Sequence, residues 1–155
     1  MPLDNFYNVI NALQDFNVEE EAVKIVSENR EKIIMLLQKQ LAAGIDGNGK
    51  KVKVNGRTIY RGWTTKKKRG KIGLAGVTSH ITNYMEGDFY SMMKVIVSGT
   101  DFQITSDAPH FYDILNQSGT VIMKLNKDSL QEFKNTILVP ELKRRLDDAI
   151  QAANI

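Results

Sequence analysis

The sequence predicts an α+β fold in which a long amphipathic helix and a C-terminal helix pack on a small antiparallel β-sheet. Three observations support it. Apolar residues recur at helical spacing over residues 19–43, short stretches after Gly49 alternate with a period of two, and helical spacing returns near the C-terminus. With 155 residues, of which 42% are hydrophobic and 25% charged, the chain can bury one core. We therefore expect a single domain over residues 1–155.

Two helices are predicted in the first third of the chain. The first covers residues 5–16 of an N-terminal segment, residues 1–17, with Asp4 as its N-cap. The second covers residues 19–43. It begins with three glutamates, which favour the positive end of the helix dipole, and it ends before Gly44, where a left-handed C-terminal cap is expected. Its inner face consists of apolar residues spaced three or four apart, namely Ala22, Val23, Val26, Ile33, Ile34, Leu37 and Leu41.

The middle of the chain predicts two strands and one long loop. Residues 51–54 alternate with a period of two, Asn55-Gly56 is a hairpin turn signal, and residues 57–61 would form the return strand. Residues 62–76 have no clear period and are rich in glycine and lysine. We expect them to form an extended, exposed and mobile basic loop, which orders only on assembly.

A second hairpin and a short helix are predicted next. Residues 94–97 have the best strand pattern in the chain, and residues 102–106 alternate as their partner after a turn at Gly99. The predicted sheet therefore contains both hairpins. A short helix is expected over residues 110–115, with Asp107 as its N-cap.

The last predicted helix starts at Asn126 or Asp128. Because Pro140 lies inside it, a kink or a restart is expected near Val139. Its inner face consists of Leu130, Phe133, Ile137, Leu138, Leu142, Leu146 and Ile150.

Charge is distributed very unevenly along the chain. The net charge is +3, but ten of the 21 lysines and arginines lie between Lys50 and Lys71, and no acidic residue occurs between Asp46 and Glu86. The remainder has 11 basic and 18 acidic residues, a balance of −7. Such a chain can attract copies of itself, or it can offer the basic stretch to a polyanion.

We call residues 50–71 the basic segment. Its mixture of cations and aromatic residues is typical of proteins that bind single-stranded nucleic acid, with an affinity that falls with salt. Because the rest of the chain is acidic, we favour docking on a neighbouring subunit over binding to DNA. The residues expected to make this subunit or DNA contact are Arg57, Arg61, Trp63, Lys66, Lys67, Lys68, Arg69 and Lys71. The candidate acidic counterparts are Glu19, Glu20, Glu21, Asp147 and Asp148.

No catalytic, cofactor-binding or metal-binding residue is predicted, so we do not expect an enzyme. The lack of cysteine excludes thiolate metal sites and cysteine nucleophiles. Residues 44–51 approach a phosphate-binding loop, but Lys51 stands where that loop needs Ser or Thr. His80 and His110 have no companion at metal-ligand spacing, and adjacency to Ser79 does not by itself make a nucleophile–base pair. No apolar run approaches the roughly 20 residues that cross a bilayer.

Three pieces of the chain also carry a family resemblance. Residues 41–50 end a long helix in a G-x-D-x-x-G turn, residues 60–71 form a basic stretch containing tyrosine and lysine, and residues 86–93 (EGDFYSMM) lead into a strand. In this order they resemble the small virion-morphogenesis, tail-completion and neck (head–tail connector) proteins of tailed bacteriophages. The likeness is closest to versions from phages of gut Bacteroidetes.

The resemblance implies a structural virion protein that is made in the host cytoplasm and forms a ring at the head–tail junction. Its implied partners are further copies of the chain in a cyclic homo-oligomer and the portal, neck or tail-tube proteins. Non-specific contact with genomic DNA in the channel is a further option, and neither a cofactor nor a membrane is implied. The residues alone leave a second alternative, a small nucleic-acid-binding protein that uses its basic loop.

Overall fold

A computed structural model of the chain describes residues 3–153, so the outermost two residues at each end of the predicted domain lie outside the described residues. In chain order the elements are α1 (Leu3–Asp15), α2 (Val18–Glu28), α3 (Arg30–Ala42), α4 (Gly62–Lys68), α5 (Asp88–Ser91), β1 (Met93–Ser98), β2 (Asp101–Ser106), α6 (Phe111–Ser118), α7 (Lys127–Phe133) and α8 (Val139–Ala153). Helices surround a two-stranded antiparallel sheet, β1–β2, so the predicted α+β class is confirmed.

The predicted long helix is wrong as a single element, because it is broken at Asn29 into α2 and α3. The side-chain Nδ2 of Asn29 donates to the carbonyl oxygen of Ile25 at 2.8 Å, beside the backbone bond from its own N–H to that oxygen. Asparagine competes in this way with helix backbone bonding. Both halves contact β1, but α2 packs mainly on α8 whereas α3 packs mainly on β1 and α7.

The core lies between α3 and the β1–β2 hairpin. The strands pair in the register Val95 with Ile104, and the side chains of both residues are buried. The predicted hairpin and its turn at Gly99 are therefore confirmed. The apolar face of α3 buries Ile33, Leu37 and Leu41 against this hairpin and the aromatic residues around it. Burial of this continuous apolar surface is the main stabilising contribution to the fold.

The other predicted hairpin is wrong, although its turn is present. Asn55 and Gly56 have φ angles of 50° and 79°, as a tight hairpin turn requires, but Val54 and Arg57 form only an isolated bridge. The flanking backbone bonds elsewhere, because the N–H of Val52 donates to the carbonyl of Gly44 and that of Asn55 donates to a carbonyl of α6. Residues 51–61 therefore add no strand to the sheet.

The C-terminal helix restarts where the sequence predicted. The Asn126 side chain caps α7 by accepting a 2.9 Å hydrogen bond from the Ser129 N–H, and a π-helical turn, Lys134–Leu138, joins α7 to α8. Pro140 directly follows this π-helical turn inside a continuous helical run, so its missing N–H removes one helical hydrogen bond at the point where the bonding pattern changes. This junction allows one interrupted rod to contact α3 through α7 and both α1 and α2 through α8.

Two predicted N-caps are wrong. Asp4 lies inside the first turn of α1, which begins at Leu3. Asp107 does not cap α6; its carboxylate instead forms a 2.8 Å ion pair with Lys94 on the neighbouring strand. In both cases the acid finds a favourable position close to the predicted one, because negative charge is stabilised by a helix N-terminus or by a cation across a strand pair.

Candidate interaction surface

The second half of the basic segment is a short helix packed on its own chain, not a mobile loop. Residues 62–68 form α4, and a 3₁₀ turn, Gly73–Gly76, follows after the chain reverses at Gly70, whose φ is 81°. The predicted loop over residues 62–76 is therefore wrong in conformation. Its weak periodicity reflects a helix of two turns, too short for a pattern to show.

Lys68 is the reason why this helix is fixed. Its side chain is 0% exposed, and its ammonium group donates hydrogen bonds to the carbonyl oxygens of Leu74 and Tyr84. Desolvation, and to a lesser degree the nearby charge of Lys71, lowers the pKa of the Lys68 amine below its ordinary value. Lys68 is thus a structural residue, and its prediction as a subunit or DNA contact is wrong.

Tyr60 holds the start of the same helix. Its hydroxyl oxygen accepts hydrogen bonds from the backbone N–H groups of Thr82 and Asn83, at 3.1 and 3.0 Å, and lies 3.3 Å from the Thr82 hydroxyl. The irregular stretch 77–87 would otherwise leave these two donors without a protein partner. Tyr60 and Lys68 together make the basic segment a rigid part of the body.

The remaining predicted contact residues are exposed. They are Arg57, Arg61, Trp63, Lys66, Lys67, Arg69 and Lys71. Among residues 3–153, none of the ten cations of the basic segment lies within ion-pair distance of a carboxylate, whereas Lys24, Lys39, Lys94, Arg144 and Arg145 outside it all do. The basic segment is therefore a positive surface that its own chain does not neutralise.

The predicted acidic counterparts divide into two groups. Glu20, Glu21 and Asp148 form ion pairs with cations of the same chain. Glu19 and Asp147 form none with any described residue and are exposed. The N-terminal region contributes two further acids, Asp4 and Asp15, which form no ion pair with any described residue.

Trp63 stands at the mouth of a groove that the sequence did not predict. Its side chain is 62% exposed, and the ammonium of Lys67 lies 5.1 Å from its ring centroid, a cation–π arrangement. The groove encloses about 510 Å³ between α4, the turn at Asn55 and α6. Its lining includes the apolar side chains of Ile59, Met85, Phe89 and Ile114.

The groove has two differently charged walls. Arg57 and Arg61 lie on the side of α4, whereas Glu86, Asp88 and Asp113 lie on the side of α5 and α6. Glu86 and Asp88 lie at α5 and Asp113 lies on α6, so the placement of both helices along the groove brings these acids near the basic segment. A ligand for this groove therefore has to match an apolar floor and opposite charges on its two edges.

The residues considered for catalysis have structural surroundings. Ser79 Oγ does lie 2.9 Å from His80 Nδ1, but His80 Nε2 is bonded to the Ala42 carbonyl oxygen at 2.6 Å, which holds the ring against the end of α3. Neither Ser79 nor His80 lines the groove or the cavity beside β2, whereas His110 does line the groove. Among the described residues no group of three or more His, Asp or Glu side chains is placed to hold a metal ion, and no helix is long and apolar enough to cross a membrane.

The loop that resembles a phosphate-binding loop is occupied by its own carboxylate. Asp46 Oδ1 accepts hydrogen bonds from the N–H groups of Asn48 and Lys50, at 2.8 and 3.0 Å. Because these are the donors that a phosphate would need, the loop forms a closed turn rather than an anion site.

Comparison of the chain with protein-family models, with curated proteins and with solved structures gives no match.

Proposed function

We propose that this chain is a structural subunit of a tailed-phage virion, which forms a ring at the head–tail junction as a connector, neck or tail-completion protein. The sequence resemblance supports the class of protein. The observation that carries the proposal is that the nine exposed cations of the basic segment have no carboxylate partner among residues 3–153 and lie on the same chain as an acidic N-terminal region.

Two different charged surfaces on one chain favour head-to-tail association. A contact between unlike surfaces of identical chains is heterologous, and it produces a ring when the rotation between neighbours closes. Charge complementarity selects the partner surface and disfavours the contact of two basic surfaces. Because charges more than about 8 Å apart are screened at physiological ionic strength, the attraction acts once the two surfaces are in contact.

The basic segment acts in this proposal as a rigid surface. With Lys68 turned inwards, the contact residues are Arg57, Arg61, Trp63, Lys66, Lys67, Arg69 and Lys71. Trp63 and Ile59 supply exposed apolar area between these cations. An aromatic side chain surrounded by charges is typical of residues that contribute strongly to binding at interfaces. A rigid surface also loses little conformational entropy when two copies associate.

A second candidate function, the binding of single-stranded nucleic acid, is favoured by the pair of Trp63 and Lys67. An exposed indole can stack on a base while neighbouring cations contact the phosphates. Such binding would be insensitive to base sequence and strongly dependent on salt. Binding to channel DNA does not exclude binding to portal, neck or tail-tube proteins, because one ring can contact both the DNA and these proteins.

Two measurements on the purified chain separate the two functions: its molar mass in solution and its affinity for single-stranded DNA. We expect light scattering to show oligomers larger than a dimer, dispersed by salt and by the double substitution Lys66→Glu and Lys67→Glu. The matched control is Lys32→Glu with Lys143→Glu, which reverses two exposed charges on α3 and α8. The ring would be contradicted, and the second function supported, if the unmodified chain is a monomer that binds single-stranded DNA and if only the Lys66→Glu and Lys67→Glu variant loses that binding.

A genomic observation tests the class of protein independently. We expect genes for a portal, a capsid or a tail-tube protein beside the gene for this chain. A gene surrounded by metabolic or regulatory functions would contradict a virion role.

A further inference from the structure

Helix α1 has an apolar surface that its own chain does not cover. Leu3, Phe6, Tyr7 and Leu13 lie on one side of the helix at helical spacing, and their side chains are between 47% and 70% exposed. Among the half-buried residues of α1, Val9 and Ala12 lie on a different side, where α1 packs on α8, whereas Ile10 lies within the stripe. A helix that is apolar on two sides is typical of one buried by more than one neighbour.

Acidic and polar residues form a row beside this exposed apolar surface. Asp4, Asn8, Asn11 and Asp15 are spaced by four, three and four residues, which places them along one line of α1. Neither Asp4 nor Asp15 forms an ion pair within residues 3–153. The outer surface of α1 is thus an apolar stripe with one negatively charged edge.

The groove beside α4 has the complementary arrangement. Ile59 and Trp63 are exposed at its mouth, its floor includes Phe89, and the wall on the α4 side carries Arg57 and Arg61. The cations of this wall have no carboxylate partner among the described residues. An amphipathic helix laid in an apolar groove is a common mode of recognition between proteins.

The acidic wall of the groove determines which edge of the docked helix faces α4. Glu86, Asp88 and Asp113 would repel the row of Asp4 and Asp15, so that row has to face α4. The opposite edge of the α1 stripe is formed by Leu13. Because leucine is uncharged, the acidic wall does not repel this edge. One orientation is therefore favoured, and it pairs acid with base along one edge only.

We propose that α1 of one copy docks in the groove of the next copy, with its apolar stripe on Ile59 and Trp63 and its acidic row beside Arg57 and Arg61. This inference rests on the proposed function, because it names the contact through which the copies associate. The contact is heterologous, so each copy offers one helix and one groove and is joined to two neighbours.

The heterologous contact can be tested by mixing two defective variants. The helix variant carries Phe6→Ser and Leu13→Ser, and the groove variant carries Ile59→Ser and Trp63→Ser. All four side chains are exposed, so the variants should fold. We expect each variant alone to be a monomer by light scattering. Their equimolar mixture should form a dimer and nothing larger, because one intact helix meets one intact groove. The control, Met35→Ser with Tyr112→Ser, alters two equally exposed side chains elsewhere and should assemble like the unmodified chain.

The outcomes separate this contact from the wider proposal. If the unmodified chain assembles and both defective variants assemble equally well, the docking of α1 is contradicted while the ring proposal stands. If each variant is a monomer but their mixture yields no dimer, the contact is not heterologous and the docking is contradicted. An unmodified chain that remains monomeric at every concentration overturns the proposed ring and the docking with it.

Disulfide cross-linking gives a second measurement. The chain contains no cysteine, so an introduced thiol has no competitor. A mixture of the single variants Tyr7→Cys and Thr64→Cys should yield a mixed disulfide-linked dimer under mild oxidation. Tyr7→Cys mixed with Tyr112→Cys, whose thiol would be exposed on α6, is the control. Equal yields from the two mixtures would overturn the docking.

Discussion

The ammonium nitrogen of Lys68 lies 5.0 Å from the centroid of the Tyr60 ring. Tyr60, just before α4, and Lys68, its last residue, thus meet beneath the helix. Each is hydrogen-bonded to backbone groups of the irregular stretch 77–87. A desolvated cation over an aromatic face gains from the ring quadrupole as well as from its hydrogen bonds. This pair explains how a strongly basic segment, whose charges repel each other, is held in one place.

Replacing Lys68 by methionine should destabilise the protein. The substitution keeps the side-chain volume but leaves the carbonyls of Leu74 and Tyr84 without this donor, and a buried unsatisfied polar group costs about 1–3 kcal/mol. The control, Lys67→Met, changes an exposed side chain, and its free energy of unfolding should stay within about 0.5 kcal/mol of that of the unmodified chain. Urea unfolding of both variants measures the free energies. Equal stabilities would contradict the structural role of Lys68.

Tyr60→Phe tests the other end of α4. The substitution removes only the hydroxyl that accepts from the N–H groups of Thr82 and Asn83. We expect a loss of about 2 kcal/mol in the free energy of unfolding, since two donors lose their partner. Hydrogen exchange should also become faster at these two amides. Tyr112→Phe, on an exposed ring, is the matched control, and a loss as large in that variant would refute the assignment.

Gln40 should be sensitive to substitution by leucine, although leucine suits helix α3. Its buried side chain donates to the Lys124 carbonyl at 2.9 Å and accepts from the Asn126 N–H and the Ser129 hydroxyl at 2.9 and 3.0 Å. Gln40→Leu should lower the free energy of unfolding by about 1–3 kcal/mol because these groups lose their partners. Gln131→Leu on the exposed side of α7 should be nearly neutral. Thermal unfolding of the two variants makes the comparison.

The pH dependence of stability should report the ion pairs that Glu141 forms within α8, beside the contact between α8 and α2. Arg145 binds Glu21 at 2.9 Å and Glu28 at 2.6 Å, and it shares Glu141 with Arg144. Hydrogen bonds from Arg144 and then Arg145 lower the pKa of Glu141 from 4.5 to about 2. Because the folded pKa is below the unfolded one, this stabilisation is complete above about 4.5 and is lost as the pH falls towards 2.

Glu141→Gln should therefore lower the melting temperature at neutral pH, and its difference from the unmodified chain should shrink as the pH falls from about 4.5 towards 2. Glu132→Gln is the control, since Glu132 meets only the exposed Lys39 at 3.6 Å. A difference that stays constant over this range would show that Glu141 stabilises the fold by packing and not through its charge.

Gly47→Ala should disturb the turn that contributes to the family resemblance. A Cβ atom at Gly47 would lie 2.7 and 2.8 Å from the carbonyl oxygens of Lys124 and Val121, and the backbone on both sides would have to move. We expect the free energy of unfolding of this variant to fall by more than about 1 kcal/mol, as it does when a packed site is overfilled. Gly62→Ala meets open space at the start of α4 and should be neutral or slightly stabilising. Differential scanning calorimetry of the pair would show the contrast.

Local sequence patterns were enough to predict the fold class, the β1–β2 hairpin, the glycine stop after α3, and the restart of the last helix near Val139. These features depend on local periodicity and on the backbone preferences of glycine, proline and asparagine, which act wherever the residue stands. The charge asymmetry is also visible without coordinates, because it is a property of composition along the chain.

Which cations are exposed, and which groups lie opposite them, depends on long-range packing. Lys66, Lys67 and Lys68 are alike in sequence, yet Lys68 is buried because its direction from α4 points it at the carbonyls of Leu74 and Tyr84, which the following turn and the irregular stretch bring beneath the helix. The acidic wall of the groove likewise depends on the placement of α5 and α6 along it. Burial and juxtaposition arise from contacts between distant residues, and no local pattern encodes such contacts.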